Sequence, residues 1–275
     1  MLQISLPRLS YLPLLLPRLH AFFSPLLIGD PEGIAPETGY FTYDSVLLKW
    51  HLPVGLLYDI YVVSTDEHDQ SKQSLPFRLT LQFSSNTAGM QLDLIKARPD
   101  NLYDAFINSV KEADFLRSGT AKPIMSLSAA DSMSLWVSAQ ESDLTKFARI
   151  HSSLLPPTGQ MRNIPLRVYL PSSPEEGSSK AQIKSLQSHI SPFTTPATSG
   201  ASTTQARTPS SVTPQTMGTA LHLLIPSLFP SKRTPILARP ILHGVAIPLS
   251  AHLEDLVRWA CYADGWLCIV VLMNN

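Results

Sequence analysis

The stretch LEDLVRWACYADGWLCIVVLM, residues 253–273, decides the fold. Residues 253–262 read as a helix. Residues 266–273 form a continuously apolar run, the pattern of a strand covered on both faces. Working outward, IPLRVYL (164–170) alternates as a strand, residues 183–190 carry weaker strand character, residues 217–228 read as a helix and residues 242–247 as a strand. The order strand, strand, helix, strand, helix, strand over residues 162–275 is that of a β-grasp, a sheet wrapped over one main helix. Between Ser191 and Gln215, Ser, Thr and Pro supply 16 of 25 residues. Such a tract buries too little apolar area to offset its ordering entropy, so 191–215 is expected to be a disordered insertion.

Upstream the texture is helical. Asp100 is placed to cap a helix with Tyr103, Phe106, Ile107 and Val110 on one stripe. Leu144, Phe147, Ala148 and His151 repeat that spacing, Ser138 and Glu141 offer a capping box, and Pro156-Pro157 close the segment. Residues 99–157 therefore form a helix-rich region. Residues 1–86 read as a small α+β unit. A short helix near Pro17 carries Leu19, Phe22, Phe23, Leu26 and Leu27, and a strand covers 40–51. A second helix opens at Pro53, and residues 75–83 alternate Phe77, Leu79, Leu81 and Phe83 against Arg78, Thr80 and Gln82.

Composition narrows the function. The 275 residues hold 21 bases and 21 acids, so the strongly basic balance of a nucleic-acid binder is absent. The apolar N-terminus is broken by Arg8, Arg18 and three prolines, which argues against a signal peptide or membrane span. Membrane contact is expected to be peripheral, through partners, because no strongly basic amphipathic helix is present. No GxGxxG, P-loop or GxSxG motif occurs, and the eight histidines form no metal-binding pattern. His68 among acids reads as a solvated turn, His51 and His243 as structural. Cys261 and Cys268 fit neither a redox pair nor a zinc knuckle and read as buried hydrophobes. No cofactor or metal is expected.

Lys111, in VKEAD (110–114), lies about a right angle from the apolar stripe of its helix. Its stem can rest on the helix while its ammonium reaches water. Glu112 and Asp114 follow closely enough to hold or deprotonate an amine. By pattern alone it is one lysine among many.

Several blocks together resemble the autophagy-related protein 5 family, in its fungal members. LKWHLPVGLLYDI (48–60) is similar to the family's strand-to-helix junction, VKEAD to its acceptor-lysine motif and LWVSAQESDLTKF (135–147) to its helical region. PLRVYLP (165–171) resembles the opening strand of its second ubiquitin-like domain, and residues 216–249 and 253–271 give the closest match. The resemblance implies two ubiquitin-like (β-grasp) domains flanking a helix-rich region, an α+β architecture that agrees with the pattern above.

It also implies that Lys111 is joined by an isopeptide bond to autophagy-related protein 12. The conjugate binds a helix of autophagy-related protein 16 in a groove, for which Tyr11, Phe22 and Trp50 are candidates. It then promotes ligase-like lipidation of autophagy-related protein 8 through that pathway's conjugating enzyme. The protein itself would be an acceptor and scaffold without catalytic residues. It would be cytoplasmic and peripheral on the preautophagosomal structure membrane. The competing expectation is an unconjugated β-grasp adaptor for ubiquitin-like partners. Family members carry a longer segment, with an opening strand, before the equivalent of PRLSYL (7–12). The expectation is therefore an incomplete first domain and a weakened surface for protein 16. The insertion is expected to be a passive spacer, with Thr195, Thr208 and Thr213 as proline-directed phosphorylation candidates.

Overall fold

The computed structural model describes residues 2–27, 34–63, 75–83, 98–171, 183–194 and 213–274. His68, Thr195 and Thr208 lie outside the described residues, as does the body of the Ser/Thr/Pro tract.

Prolines 13 and 17 sit in the first turns of a 3-10 turn (Leu12–Leu15) and of helix α1 (Leu16–Phe23), where a missing N–H is tolerated. The buried face is Leu12, Leu16 and Leu19, whereas Phe22 and Leu26 are exposed. The expected stripe therefore fails beyond Leu19. The helical run starts earlier than Pro17 and α1 ends at Phe23, so leucines upstream of Leu19 share its face. The strand expected over 40–51 is a hairpin, β1 (Gly39–Tyr43) and β2 (Val46–Leu47). Asp44 and Ser45 turn it with φ of 45° and 66°, the two-residue turn whose twist suits paired strands. Helix α2 (Val54–Tyr58) follows Pro53 as expected and continues as a π-helical turn over Asp59–Val63. Strand β3 (Thr80–Phe83) pairs with β1, giving the order β2-β1-β3. Phe77, Leu79, Leu81 and Phe83 are half-buried and the residues between them exposed, as period two requires.

Helices α3 (Pro99–Ser118), α4 (Lys122–Met125), α5 (Ala129–Glu141) and α6 (Leu144–Leu154) form the helix-rich region. Arg98, not Asp100, occupies the N-cap of α3, and Asp100 sits in the first turn, where a negative charge meets the helix dipole favourably. The α3 stripe is Leu102, Phe106, Val110 and Ala113, with Tyr103 and Ile107 half-buried at its margin. The Ser138–Glu141 capping box is not formed. Both residues lie inside α5, and the Ser138 hydroxyl donates to the Leu135 carbonyl at 2.9 Å. Left-handed Ser142 ends α5, and Asp143 caps α6 by accepting from the Lys146 N–H at 3.1 Å. The buried face of α6 is consequently Ile150, His151 and Leu154, with Leu144 exposed.

The C-terminal domain is built on β4 (Ile164–Pro171), β5 (Ile183–Ile190), a helix after the insertion and the three strands that follow that helix. The two ends of the tract are ordered, contrary to expectation. β6 (Phe193–Thr194) pairs with β7 (Thr213–Pro214), and Gln215 is buried. Helix α7 (Met217–Leu224) starts from a capping box of Thr216 and Thr219. The strand expected over 242–247 is a hairpin of β8 (Ala238–Leu242) and β9 (Val245–Ala246), turned by His243 and Gly244 at φ 52° and 82°. Helix α8 (Leu253–Ala260) and β10 (Leu267–Met273) close the domain. The sheet order β5-β4-β10-β8-β9, with β10 parallel to β4, is the β-grasp arrangement. β10 is central, and Leu267 to Leu272 are all buried, which explains its unbroken apolar sequence.

Leu12, Leu16, Phe41, Leu56 and Leu57 of the N-terminal unit share one continuous core with Ile164, Met217, Trp266 and Ile269 of the C-terminal domain. A second, smaller core fills the helix-rich region around Phe106 and Trp136 and takes in Tyr11. Arg8 ties the outer domains together. Its guanidinium donates to both oxygens of buried Asp59 at 2.6 Å and to the Gly55 carbonyl at 3.0 Å, and it lies against Gly244 in the β8–β9 turn. Burial pushes the Asp59 carboxyl up, while Arg8 and the Gly244 N–H pull it back.

Candidate functional site

Lys111 lies on α3, five residues after buried Phe106 and between buried Val110 and exposed Glu112. It is half-buried, and exposed Phe115 follows one turn later. That fits the flank position read from the sequence.

The turn carrying Lys111 is fixed from below by the C-terminal domain. The Trp266 indole N–H donates to the Ser109 carbonyl at 3.0 Å. The Ser109 hydroxyl donates to Asp264 at 2.7 Å. Arg167, on β4, lies over the Trp266 ring, its guanidinium carbon 3.7 Å from the ring centroid. It donates to the Ser109 hydroxyl at 3.3 Å and to Glu112 at 3.0 Å. These contacts hold residues 109–112 of α3 on β4 and on the residues leading into the last strand, through a planar cation that can stack and bridge at once. Beside them, a small cleft at the meeting of all three regions is lined by Tyr11, Leu56, Phe106, Arg167, Tyr262 and Cys268.

The two acids after Lys111 do not serve it. Glu112 is committed to Arg167. Asp114 is fully buried, accepts from the Ile124 N–H at 3.1 Å and lies 4.0 Å from Arg117. Burial pushes its carboxyl up despite those partners. The expectation that Glu112 and Asp114 hold or deprotonate the amine is thus corrected: i+1 turns Glu112 to another face of the helix, and the Asp114 carboxylate is buried and spent on the Ile124 N–H. No described carboxylate forms a salt bridge with Lys111.

Cys261 does not sit among apolar side chains alone. Its sulfur lies 3.7 Å from His151 Nε2, and the Arg117 guanidinium is buried nearby without a hydrogen-bond partner among the described residues. Burial pushes the thiol up to about 11 despite Arg117. Burial, then Arg117, pushes the imidazole down to about 4. Near neutral pH this is a protonated thiol against a neutral ring, a packing contact rather than an activated nucleophile. Cys268 is a free buried thiol. His243 Nε2 donates to the Ala260 carbonyl at 3.0 Å and the ring packs on Tyr262, a structural role as expected. Among the described residues no group of three or more ligands could hold a metal, and no helix is long and apolar enough to cross a membrane.

Of the three aromatic groove candidates, Tyr11 is removed. It is 4% exposed and packs on Trp136 in the helical core. Trp50 is half-buried and Phe22 remains exposed. The Arg167–Trp266 stack and the Arg8–Asp59 pair escaped the sequence reading. A lone acid inside the apolar run VGLLYDIYVV was the one available signal for the second.

Residues 163–271 match the family model for the autophagy protein ATG5 UblB domain. Residues 99–157 match its alpha-helical bundle region and residues 1–83 its UblA domain. Autophagy protein 5 of Aspergillus fumigatus is 49% identical over 285 residues, covering 98% of this chain and 85% of that protein. Autophagy protein 5 of Aspergillus oryzae is 50% identical over 286 residues, covering 98% and 87%. Among solved structures, the crystal structure of Kluyveromyces marxianus Atg5 has a TM-score of 0.67 at 19% identity, over 97% of this chain and 85% of that one.

Proposed function

The chain belongs to the autophagy protein 5 family, and from that premise we propose that it is the acceptor and scaffold of a conjugate formed through Lys111. The modifier is the ubiquitin-like autophagy-related protein 12. The uncharged Lys111 amine attacks the modifier's C-terminal thioester carbonyl. A C–N bond forms, the C–S bond breaks, the conjugating enzyme's sulfur leaves as thiol, and the amine gives up its proton. The observation that carries this reading is the division of labour on α3. Ser109 and Glu112 anchor the turn, while Lys111 between them keeps its amine out of any ion pair with a described residue. Since neither neighbouring acid reaches it, the proton acceptor belongs to the conjugating enzyme, as does the thioester chemistry.

In this reading the conjugate binds a helix of autophagy-related protein 16 and promotes lipidation of autophagy-related protein 8 through that pathway's conjugating enzyme. It works in the cytoplasm and peripherally on the preautophagosomal membrane. Immunoblotting of extract from autophagy-competent cells should show a band heavier by one small modifier, absent in Lys111→Arg cells, with modifier lipidation lost in parallel. A chain that runs only at its own mass while lipidation proceeds would replace this reading with that of an unconjugated adaptor.

A further inference from the structure

The sequence repeats one short motif, a hydroxyl residue followed by proline, and the structure sorts its copies. Within the described residues it occurs as Ser24-Pro25, Ser191-Pro192, Thr213-Pro214 and Thr234-Pro235. A proline-directed kinase threads its acceptor as an extended segment and must reach the following proline, which has no N–H to satisfy. Ser24 has helical backbone at the end of α1. Pro192 is buried. Thr234 lies in a bend: the Ser231 hydroxyl accepts from the N–H groups of Arg233 and Thr234, and the Asn274 amide donates to the Pro235 and Ile236 carbonyls. Of the four pairs, only Thr213 and Pro214 are both exposed and extended, as β7.

The strand pair that carries Thr213 is short and fixed at one end. Buried Gln215 donates its N–H to the Pro192 carbonyl at 2.7 Å, and its carbonyl accepts from the Leu253 N–H at 3.0 Å. Beyond that base the pair has two rungs, Phe193–Pro214 and Thr194–Thr213, and Pro214 has no N–H to give. The outer rung is closed by side chains. The Thr194 hydroxyl donates to the Thr213 carbonyl at 3.2 Å. Its hydrogen is thereby spent, so in the contact between the two hydroxyls Thr213 is the donor. Opening such a pair costs little, because each hydrogen bond exchanged for water makes a small net contribution. Residues 177–253 contain no Asp or Glu, so no acid of that stretch repels a phosphate placed there.

We infer that Thr213 is a phosphorylation site for a proline-directed protein kinase, and that the phosphoryl group keeps β6 and β7 apart. In the open form the Thr213 hydroxyl oxygen attacks the γ-phosphorus of ATP. An O–P bond forms, the bond from that phosphorus to the bridging oxygen of ADP breaks, ADP leaves, and the hydroxyl proton passes to the kinase's catalytic carboxylate. The product has lost the hydrogen that Thr213 gave to Thr194 and carries in its place a group of roughly −1.5 to −2 charge. The outer rung does not re-form around that group, so modification shifts the pair from closed to open. Phe193, half-buried with its ring toward Gly159, is the side chain this releases. Gly159 lies between α6 and β4, so the change is felt where the helix-rich region joins the C-terminal domain. The base of the insertion is then a switch, not part of a passive spacer.

Incubating the full chain with ATP, Mg²⁺ and a purified proline-directed kinase tests this, with a cyclin-dependent and a mitogen-activated kinase in separate reactions. Sites are mapped by mass spectrometry, and phosphate on Thr213 is expected. It should be absent from Thr213→Val, whereas Thr234→Ala should take it as the parent does. Both substitutions fall at exposed positions, and thermal melts confirm that each variant folds. Amide hydrogen exchange in a peptide covering Phe193 and Thr194 should quicken about tenfold on phosphorylation. Kinase treatment of Thr213→Val should leave that exchange as it was. The inference is overturned if neither kinase modifies Thr213, whatever other residues they modify, or if Thr213 is modified and the exchange does not change. Lys111→Arg should take the phosphate normally, so failure of the acceptor reading and failure of this one are separate results.

Discussion

Arg167 does more for the acceptor turn than any other single side chain, because one planar cation stacks on Trp266 and bridges Ser109 and Glu112. Arg167→Ala should lower stability by about 2–3 kcal/mol, read as a shifted denaturant midpoint. Arg167→Lys should recover only part of that, since an ammonium cannot stack flat and fork. His151 gives the chain an acid-side weakness. Its buried ring titrates near 4 instead of 6.5. Between those values the unfolded chain binds a proton that the folded chain does not, so stability falls as pH drops through that window, by up to about 3 kcal/mol. Melting temperatures from pH 7 to 4 should fall less steeply in His151→Leu than in the parent. Equal slopes would show that burial at this ring is not what makes the fold acid-sensitive. Neither residue was legible as a site in the sequence, because each acts through partners far away in the chain.

Among the elements, those with long or strict periodicity were readable and those ended by unusual turns were not. β4 and β10 stand where alternation and unbroken apolarity put them. The strands at 40–51 and 242–247 are hairpins because Asp44-Ser45 and His243-Gly244 adopt positive φ, and neither pair is the Asn-Gly or Asp-Gly signal for such a turn. The helices were found, and the α3 face held at Phe106 and Val110, but the faces of α1 and α6 were misjudged, with Phe22, Leu26 and Leu144 exposed. Gly218, inside the first turn of α7, marks a contact no local rule reveals. Helix propensity alone favours Gly218→Ala. The Lys232 carbonyl, 2.0 Å from the added Cβ, reverses the sign, and a loss of more than about 2 kcal/mol in a thermal or denaturant melt is expected. A more stable variant would mean that the loop yields at no cost.

At the scale of the molecule, the N-terminal unit and the C-terminal domain are halves of one core rather than independent bodies. That shared core has a thermodynamic consequence, and it runs against the expectation of a weakened first domain. Unfolding should be a single cooperative transition, with far-ultraviolet circular dichroism and tryptophan fluorescence coinciding. Two separated transitions would show that the shared core does not couple the domains. The same architecture explains why the proposed acceptor does not stand out by pattern: Lys111 is distinguished by what β4 and the residues leading into β10 do to the turn beside it. It is proposed on the family's motif order, where periodicity gives no signal. The most direct test is tandem mass spectrometry of the heavier species purified from cells. A branched peptide joining the modifier's C-terminal glycine to the Lys111 side chain is the predicted result. A branch on any other lysine, or a heavier species that persists in Lys111→Arg, would contradict the account.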